Sequence, residues 1–348
     1  MKKKLVGMLA TATLLTMALA GNVQAAEIRS VGPDGEAAVD ASTIELTDDQ
    51  IAQIKEGGYT AAICLHYGGN DWSTSQQKGL EDTFGELGIE IVAVTDANFS
   101  AETQVSNIET VMAKKPDILV SIPTDATATA DAYKQAAAAG IKIVFMDQRA
   151  DGLEAGKDYV SVVSADNYGN GYASGTVLGD ALGGKGKVAM VYYDANFAPT
   201  NQRDEGFRDA MKNYPDIEIV TEQGFTDESG CAEQGDAILT QFPNIDGIYA
   251  SWDVPMEGVL SAVRAAGMEG KVTLACNDLG NNVAREIASG NIAGGGAQMP
   301  YDQGVAEAKL AALALLGEET PSYVAVPAET VTHENVLEAY TDVYHVET

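Results

Sequence analysis

YTAAICLHYGGNDWSTSQQKGLEDTFGELGIEIVAV, residues 59–94, decides the fold. Tyr59–Leu65 is a short apolar run with strand character, Ser73–Leu87 carries apolar residues at helical spacing, and Ile89–Val94 is again strand-like. The same rhythm continues outward through helix 101–113, strand 118–122, helix 126–139 and strands 142–145 and 159–163. A second unit repeats it: helix 168–182, strand 188–192, helix 201–214, strand 217–222, helix 231–241, strand 247–250, helix 255–266, strand 272–275 and helix 281–288. Alternating strands and helices of this length predict parallel sheets covered on both faces by helices. The expected class is α/β, with two doubly wound parallel-sheet lobes. Helix 303–316 and the strand-like 323–326 follow, so the last fifty residues are expected to return to the first lobe and make a three-crossing hinge, with a ligand cleft between the lobes. The expected division is an N-lobe of 59–165 plus 298–330 and a C-lobe of 166–297 plus 331–348.

Two segments precede the first strand. Met1–Ala25 has the form of a cleavable signal peptide: Lys2, Lys3 and Lys4 precede an apolar run, Leu5–Ala20, and Val23-Gln24-Ala25 provides a small-x-small cleavage site. Three threonines dilute the run, and it falls short of the roughly 20 apolar residues of a membrane span. No cysteine lies near the cleavage site, so the expectation is a free periplasmic protein without a lipid anchor, starting near Ala26. Residues 26–58 are acidic and weakly patterned, with one helix signal at Thr47, and are expected as a surface extension.

The charge excludes partners without naming one. Against 51 Asp+Glu stand 21 Lys+Arg, a formal net charge of −30, and the cations cluster only at Lys2–Lys4 and Lys114-Lys115. Such a surface repels polyphosphate backbones and anionic lipid headgroups. Three cysteines, Cys64, Cys231 and Cys276, provide no disulfide framework.

Motifs for chemistry fail on inspection. Gly179-x-x-x-x-Gly184-Lys185 has Gly186 where a phosphate loop needs Ser or Thr, and it runs from helix to strand rather than strand to helix. Gly169-x-Gly171-x-x-x-Gly175 has the wrong spacing for dinucleotides and is expected to let a helix pack closely on its sheet. Asp147-x-Arg149-x-Asp151-Gly152 imitates a calcium loop, but an arginine in the third position repels the ion. His66, His333 and His345 lack ligand spacing, and no Gly-x-Ser-x-Gly elbow occurs. No catalytic residue, metal or cofactor is expected.

What remains are the carboxyl ends of the strands, where open α/β sheets bind ligands. They read His66-Tyr67-Gly68-Gly69-Asn70-Asp71-Trp72, Pro123-Thr124-Asp125, Asp147-Gln148-Arg149, Tyr193-Asp194, Trp252-Asp253, Asn277-Asp278 and Gln298-Met299-Pro300. Seven polar or aromatic turns in register predict one site built from many loops.

In their order and spacing these turns resemble the ribose-type sugar-binding proteins of ABC importers, across Tyr59–Val331. Asn70-Asp71-Trp72 resembles that family's Asn-Pro-Phe-Phe loop, Pro123-Thr124-Asp125 its Pro-Thr-Asp turn, and Met146-Asp147-Gln148-Arg149 its Leu-Asp-Arg strand end. Ser164-Ala165-Asp166-Asn167 is similar to the first hinge crossing, and Asn201–Phe207 to the arginine-containing helix start. Trp252-Asp253, Asn277-Asp278 and Ala297-Gln298-Met299-Pro300 resemble its Asn-Asp, Phe-Asp and Ala-Gln-Leu-Pro sites. The resemblance implies ligand contacts from Asn70, Asp71, Trp72, Asp147, Gln148, Asn201, Arg203, Trp252, Asp253, Asp278 and Gln298. It implies a monomeric receptor that closes on a ligand and docks on an ABC transporter permease, with a chemoreceptor as a further partner class. Where this chain departs, Ser73 replaces an aromatic residue, Ile122 an Asn, Gln148 an Arg, Thr226 a Phe and Trp252 an Asn. Fewer cations in the cleft point to a neutral pentose, hexose or sugar alcohol. Two alternatives are a receptor of the same fold for an amino acid, nucleoside or signalling molecule, and a sugar sensor reporting to a chemoreceptor. A transcriptional regulator of related fold would need a basic DNA-binding segment before Tyr59, where this chain is acidic.

Overall fold

A strand covered on both faces reads as a near-continuous apolar run, and Thr60–Leu65, Ile118–Ser121 and Lys142–Met146 have that form. In the computed structural model, which describes residues 27–346, the chain forms β1 (Val39–Asp40), α1 (Asp48–Gly57), β2 (Thr60–Leu65), α2 (Asp71–Glu86), β3 (Glu90–Asp96), α3 (Ala101–Ala113), β4 (Ile118–Ser121), α4 (Ala130–Ala138), β5 (Lys142–Met146) and β6 (Ser161–Ala165). β4 and β6 are buried at every residue. There follow α5 (Asn167–Ala181), β7 (Lys185–Tyr193), α6 (Ala198–Met211), β8 (Asp216–Phe225), α7 (Cys231–Gln241), β9 (Gly247–Ala250), α8 (Asp253–Ala265), β10 (Thr273–Cys276), α9 (Asn281–Ala288) and β11 (Gly294–Ala297). The chain closes with α10 (Pro300–Leu315), β12 (Tyr323–Val326), β13 (Glu329–Thr332) and α11 (Val336–Tyr344). The signal peptide expected at Met1–Ala25 lies outside the described residues. Among the described residues no helix is long and apolar enough to cross a membrane.

Two sheets result, in the orders β1-β12-β6-β5-β4-β2-β3 and β13-β11-β10-β9-β7-β8. The first is parallel throughout, and in the second only β13 runs antiparallel, against β11. Each sheet packs apolar clusters on both faces, making two lobes. The backbone passes between them three times: after β6, after β11 and after β12.

The segment before the first lobe corrects the sequence reading. Residues 27–58 are no surface extension but part of the N-lobe. β1 extends the sheet by pairing with β12, and Ile44 and Ile54 are buried in the lobe's core. Thr47 and Gln50 close a capping box at the start of α1, which satisfies two end groups of the helix reciprocally. Further upstream, the backbone N–H groups of Arg29 and Ser30 donate to the carboxylate of Asp166 in the first crossing, at 3.0 and 2.8 Å.

In the C-lobe, α5 and α6 approach closely because two glycines face backbone. A Cβ on Gly171 would stand 1.8 Å from the carbonyl oxygen of Arg203, and one on Gly206 would stand 2.1 Å from that of Tyr168. The glycine pattern of α5 thus serves a helix–helix contact more than the expected helix–sheet contact, and it brings Arg203 against the first crossing. Below Arg203, Asp204 is buried and accepts bonds from Ser251 Oγ at 2.7 Å and Tyr249 Oη at 3.3 Å. Cys64, Cys231 and Cys276 are all buried free thiols.

Ile54 tests the reassignment of the N-terminal segment. Ile54→Ala should destabilise the protein by about 2–5 kcal/mol in urea unfolding, whereas an appended segment would leave the midpoint unchanged. Asp204 tests the polar core. Burial pushes its carboxyl up to about 7, so between roughly pH 4 and 7 the folded chain holds a proton that the unfolded chain has released. Its stabilising contribution is full below the unfolded value and is lost as pH rises through 7. Asp204→Asn, which keeps an acceptor for Ser251, should therefore show a smaller fall in urea midpoint between pH 5 and 8 than the unsubstituted protein.

Candidate ligand-binding site

The carboxyl ends of both sheets face one another across a cavity lined from both lobes, where open α/β sheets bind ligands. From the N-lobe, the end of β2 supplies His66 and Tyr67, the start of α2 supplies Asn70 and Trp72, and the ends of β4 and β5 supply Ile122 and Asp147. From the C-lobe come Tyr193, Arg203, Trp252 and Asp278, with Phe197, Pro199 and Thr200 at the start of α6. Asp147 and Asp278 both take the left-handed backbone conformation, with φ of 54° and 68°. Asp tolerates that region better than most residues, and at both sites it turns the chain off a buried strand with the carboxylate on the cavity wall.

The side chains beneath the cavity form one chain of hydrogen bonds. Ser164 Oγ donates to Asp147 Oδ1 at 2.8 Å and accepts from Asn167 Nδ2 at 2.9 Å. Asn167 Oδ1 accepts from Arg203 Nε at 2.8 Å, and Arg203 Nη1 donates to Asp278 Oδ2 at 3.0 Å and to the Ser251 carbonyl at 3.2 Å. Gln298 continues it, donating from Nε2 to Asp278 Oδ1 at 2.8 Å and accepting from Trp72 Nε1 at 3.3 Å. The chain begins and ends in the N-lobe and passes through the C-lobe at the first and second crossings.

Its electrostatics follow from burial. The Arg203 side chain is 5% exposed and that of Asp278 10%. Burial works against the Arg203 charge, yet Asp278 and Asp147 hold the guanidinium above its ordinary pKa. Burial pushes the Asp147 carboxyl up, while the Ser164 bond and Arg203 draw it down. His66 is the reverse case: burial alone lowers it to about 3, so its imidazole is neutral.

The structure brings six of the eleven sequence candidates onto the cavity wall: Asn70, Trp72, Asp147, Arg203, Trp252 and Asp278. Gln298 lies behind the wall, bonded to Trp72 and Asp278. The other four are corrected. Asp71 is exposed and reaches across the cleft to accept the Asn281 N–H at 2.6 Å, at the start of α9. Gln148 turns away, donating to the Pro123 carbonyl and accepting the Ala198 N–H at 3.2 Å from the other lobe. Asp253 spends both oxygens on backbone, the N–H groups of Val254 and Gly280. Asn201 is exposed on the outer face of α6. The wall also carries His66, which sequence reasoning left open between the cleft and a structural role, and Tyr67, Phe99, Tyr193 and Phe197, which it did not name as site residues although Tyr67 and Tyr193 sit at strand ends where the position itself was a signal.

Contacts across the cleft make this the closed arrangement. Besides Asp71–Asn281 and Gln148–Ala198, Gln202 Nε2 donates to the Val31 carbonyl at 3.3 Å, and Phe197 stacks on His66 with ring centroids 5.7 Å apart.

Comparison with known proteins agrees with this geometry. The model of a periplasmic binding protein domain matches residues 61–319. The chain is 29% identical over 273 residues to the D-ribose/D-allose-binding protein of Pseudomonas aeruginosa, covering 75% of this chain and 83% of that one. It is 27% identical over 213 residues to the ribose import binding protein of Bacillus subtilis, covering 61% and 67%. Among solved structures, an ABC transporter solute-binding protein from Agrobacterium vitis bound with α-D-tagatopyranose superposes with a TM-score of 0.76 at 26% identity, covering 82% and 98%. Another from Actinobacillus succinogenes, with bound D-allose, does so with a TM-score of 0.74 at 28% identity, covering 80% and 99%. Two doubly wound lobes, three crossings and a cavity walled by strand ends thus coincide with a domain match over most of the sequence, and the chain belongs to the periplasmic binding protein family.

Proposed function

We propose that the protein is the exported receptor of an ABC importer, closing around a neutral monosaccharide or sugar alcohol and presenting the closed form to a membrane permease. The observation that carries this reading is the composition of the cavity wall, which sets two carboxylates, one already paired guanidinium and a neutral imidazole among aromatic rings. A sugar hydroxyl both donates and accepts. Asp147 can take its hydrogen, Arg203 and Asn70 can satisfy its oxygen, and the faces of Trp72 and Trp252 can cover ring C–H groups. An acid sugar, a phosphate or an amino-acid carboxylate would need a free cation, and the wall's Arg203 already serves Asp278. The sugar ligands named for relatives support the same class. The lysine-led, apolar start of the sequence supports export.

Closure would combine hinge motion with ligand binding. The bond from Asn281 to Asp71 joins the lobes at the cleft edge without lining the cavity, so Asp71 is a latch of the closed form, and Gln148, just after β5, is a second one through the Ala198 N–H.

Protein stripped of carried-over ligand by unfolding and refolding should be screened by thermal shift against pentoses, hexoses, polyols, amino acids and nucleosides. A ligand at about 1,000 times its Kd adds about 4 kcal/mol, which moves the transition by several degrees. Hits confined to one sugar or polyol group are expected, and hits only among amino acids or nucleosides would overturn the substrate class. With the hit in hand, Asp147→Asn and Asp278→Asn should each weaken calorimetric affinity more than tenfold, since hydrogen bonds to charged groups contribute about 1.5–3 kcal/mol. Asp71→Ala should act differently, raising the dissociation rate several-fold in stopped-flow tryptophan fluorescence with little change in association.

A further inference from the structure

The helices α2 and α10 meet nearly as closely as α5 and α6 do. A Cβ on Gly79 would stand 2.2 Å from the carbonyl oxygen of Tyr301, and one on Gly304 would stand 2.3 Å from that of Gln76. Into this dry contact the sequence places three long polar side chains, Gln76 from α2 and Gln303 and Glu307 from α10, each wholly buried. Gln303 and Glu307 are four residues apart, so they share one face of α10. Gln76 Nε2 donates to Glu307 Oε1 at 2.5 Å, and Gln303 Nε2 lies 3.5 Å from Asp147 Oδ1 on the ligand cavity. The cluster therefore joins the wall of the binding site to the core of the N-lobe.

Its hydrogen bonds do not balance if Glu307 is ionised. Gln76 Oε1, Gln303 Oε1 and Glu307 Oε2 are all buried without a partner among the described residues, and in that state all three only accept. No cation is paired with Glu307 among the described residues, and a dry carboxylate without one is costly. A proton on Glu307 Oε2 changes the count. That oxygen becomes a donor to a glutamine carbonyl oxygen, so a single bond satisfies two of the three unpartnered atoms. Charge works in the same direction. Burial pushes the Glu307 carboxyl well up, and although the Gln76 bond draws it down, the charge of Asp147 pushes it up again. Asp147 has the better claim to the negative charge, since Ser164 donates to it and the Arg203 guanidinium stabilises it.

We propose that Glu307 is a positioning residue of the binding site, a neutral acid that donates its proton into the Gln76–Gln303 pair and so keeps the Gln303 amide turned with its N–H toward Asp147. With the amide reversed, a carbonyl oxygen would face the Asp147 carboxylate, and an ionised Glu307 would place a second negative charge behind it. Either change drives Asp147 toward its protonated form, which has less accepting capacity for a ligand hydroxyl. Glu307 thus acts on the ligand through Asp147 without touching it. The inference rests on the sugar-receptor reading above and explains how that reading's main acceptor stays ionised.

The first test needs no ligand. The difference between the infrared spectra of the unsubstituted protein and Glu307→Gln at pH 7 should contain the C=O band of a protonated carboxyl group. A difference containing only an ionised carboxylate would overturn the proposal and leave the receptor reading intact. The second test is calorimetry with the sugar or polyol found by screening. Glu307→Met, which fills the space without a donor or acceptor, should bind at least about fivefold more weakly than the unsubstituted protein. Glu307→Gln, which supplies both without a charge, should recover most of the affinity. In an Asp147→Asn background Glu307→Met should have little further effect, because the carboxylate that Glu307 positions is gone. Unchanged affinity in Glu307→Met would overturn the proposal. So would an equal loss in Glu307→Gln, or the same factor of loss in both backgrounds, since either marks a packing defect. Failure of the unsubstituted protein to bind any sugar or polyol would overturn the receptor reading and this role with it.

Discussion

A guanidinium that is nearly dry has to be matched in charge and in hydrogen bonds or the fold around it does not form. Arg203 imposes that constraint on this protein. Asn167, Asp278 and the Ser251 carbonyl meet it from three directions, and each partner fixes a different part of the molecule: the start of α5 at the first crossing, the turn after β10, and the end of β9. The glycines facing the Arg203 and Tyr168 carbonyls between α5 and α6 are part of the same solution, since a Cβ in either place would push the helix that carries Arg203 off its partners. The left-handed turn at Asp278 is another part, because it directs the carboxylate back over the sheet. The binding wall of the C-lobe is the outer side of this arrangement.

The N-lobe is tied to the constraint through the hinge rather than across the cleft. Asn167 hands on to Ser164 and Asp147 through the first crossing, and Asp278 hands on to Gln298 and Trp72 through the second. The contacts that span the open side of the cleft are of another kind: an exposed carboxylate on a helix start, an amide on a backbone N–H, an amide on a carbonyl. Each of these groups finds water in an open form, so each contributes little net free energy to closure. Weak latches leave the equilibrium between open and closed forms to be decided by the ligand, whose differential contact with the two lobes is the only quantity that can shift it.

The architecture was legible because buried parallel strands are short uninterrupted apolar runs, and β2, β4, β5, β9 and β12 all have that form. The N-terminal segment was not, since only Ile44 and Ile54 of it are fully buried hydrophobics, while Ile28, Ala38, Ala41, Leu46 and Ile51 pack against the cores half-buried and without a regular period. Pairing of β1 with β12 joins residues nearly 300 positions apart, and no local pattern announces it. Within the site, the loops were legible and the side-chain directions were not. α6 begins at Ala198, so Pro199, Thr200 and Arg203 share the buried face at helical spacing, while Asn201 falls on the outer one. A reading that starts the helix at Asn201 misses that phase. Asp253 and Gln148 show a second limit: a polar residue at a strand end can serve the backbone beside it as readily as a ligand, and the choice depends on which N–H groups the fold leaves without partners.

The aromatic character of the cavity follows from the same economy of polar groups. Against the resembled family's pattern, Ile122 and Trp252 stand where Asn is expected, and Gln148, in place of an arginine, is buried off the wall against the Pro123 carbonyl and the Ala198 N–H. The wall therefore keeps few charged groups, Asp147 and the Arg203–Asp278 pair, and replaces the rest with rings from both lobes, of which His66 and Phe197 stack on one another only when the lobes meet. In such a wall, polar specificity cannot be spread over many hydrogen bonds. It concentrates in the few groups that keep hydrogen-bonding capacity after the protein has satisfied itself, Asp147, Asn70 and Arg203 among them. Aromatic faces add area that is indifferent to the position of a hydroxyl, so affinity and selectivity come from different residues of the same wall.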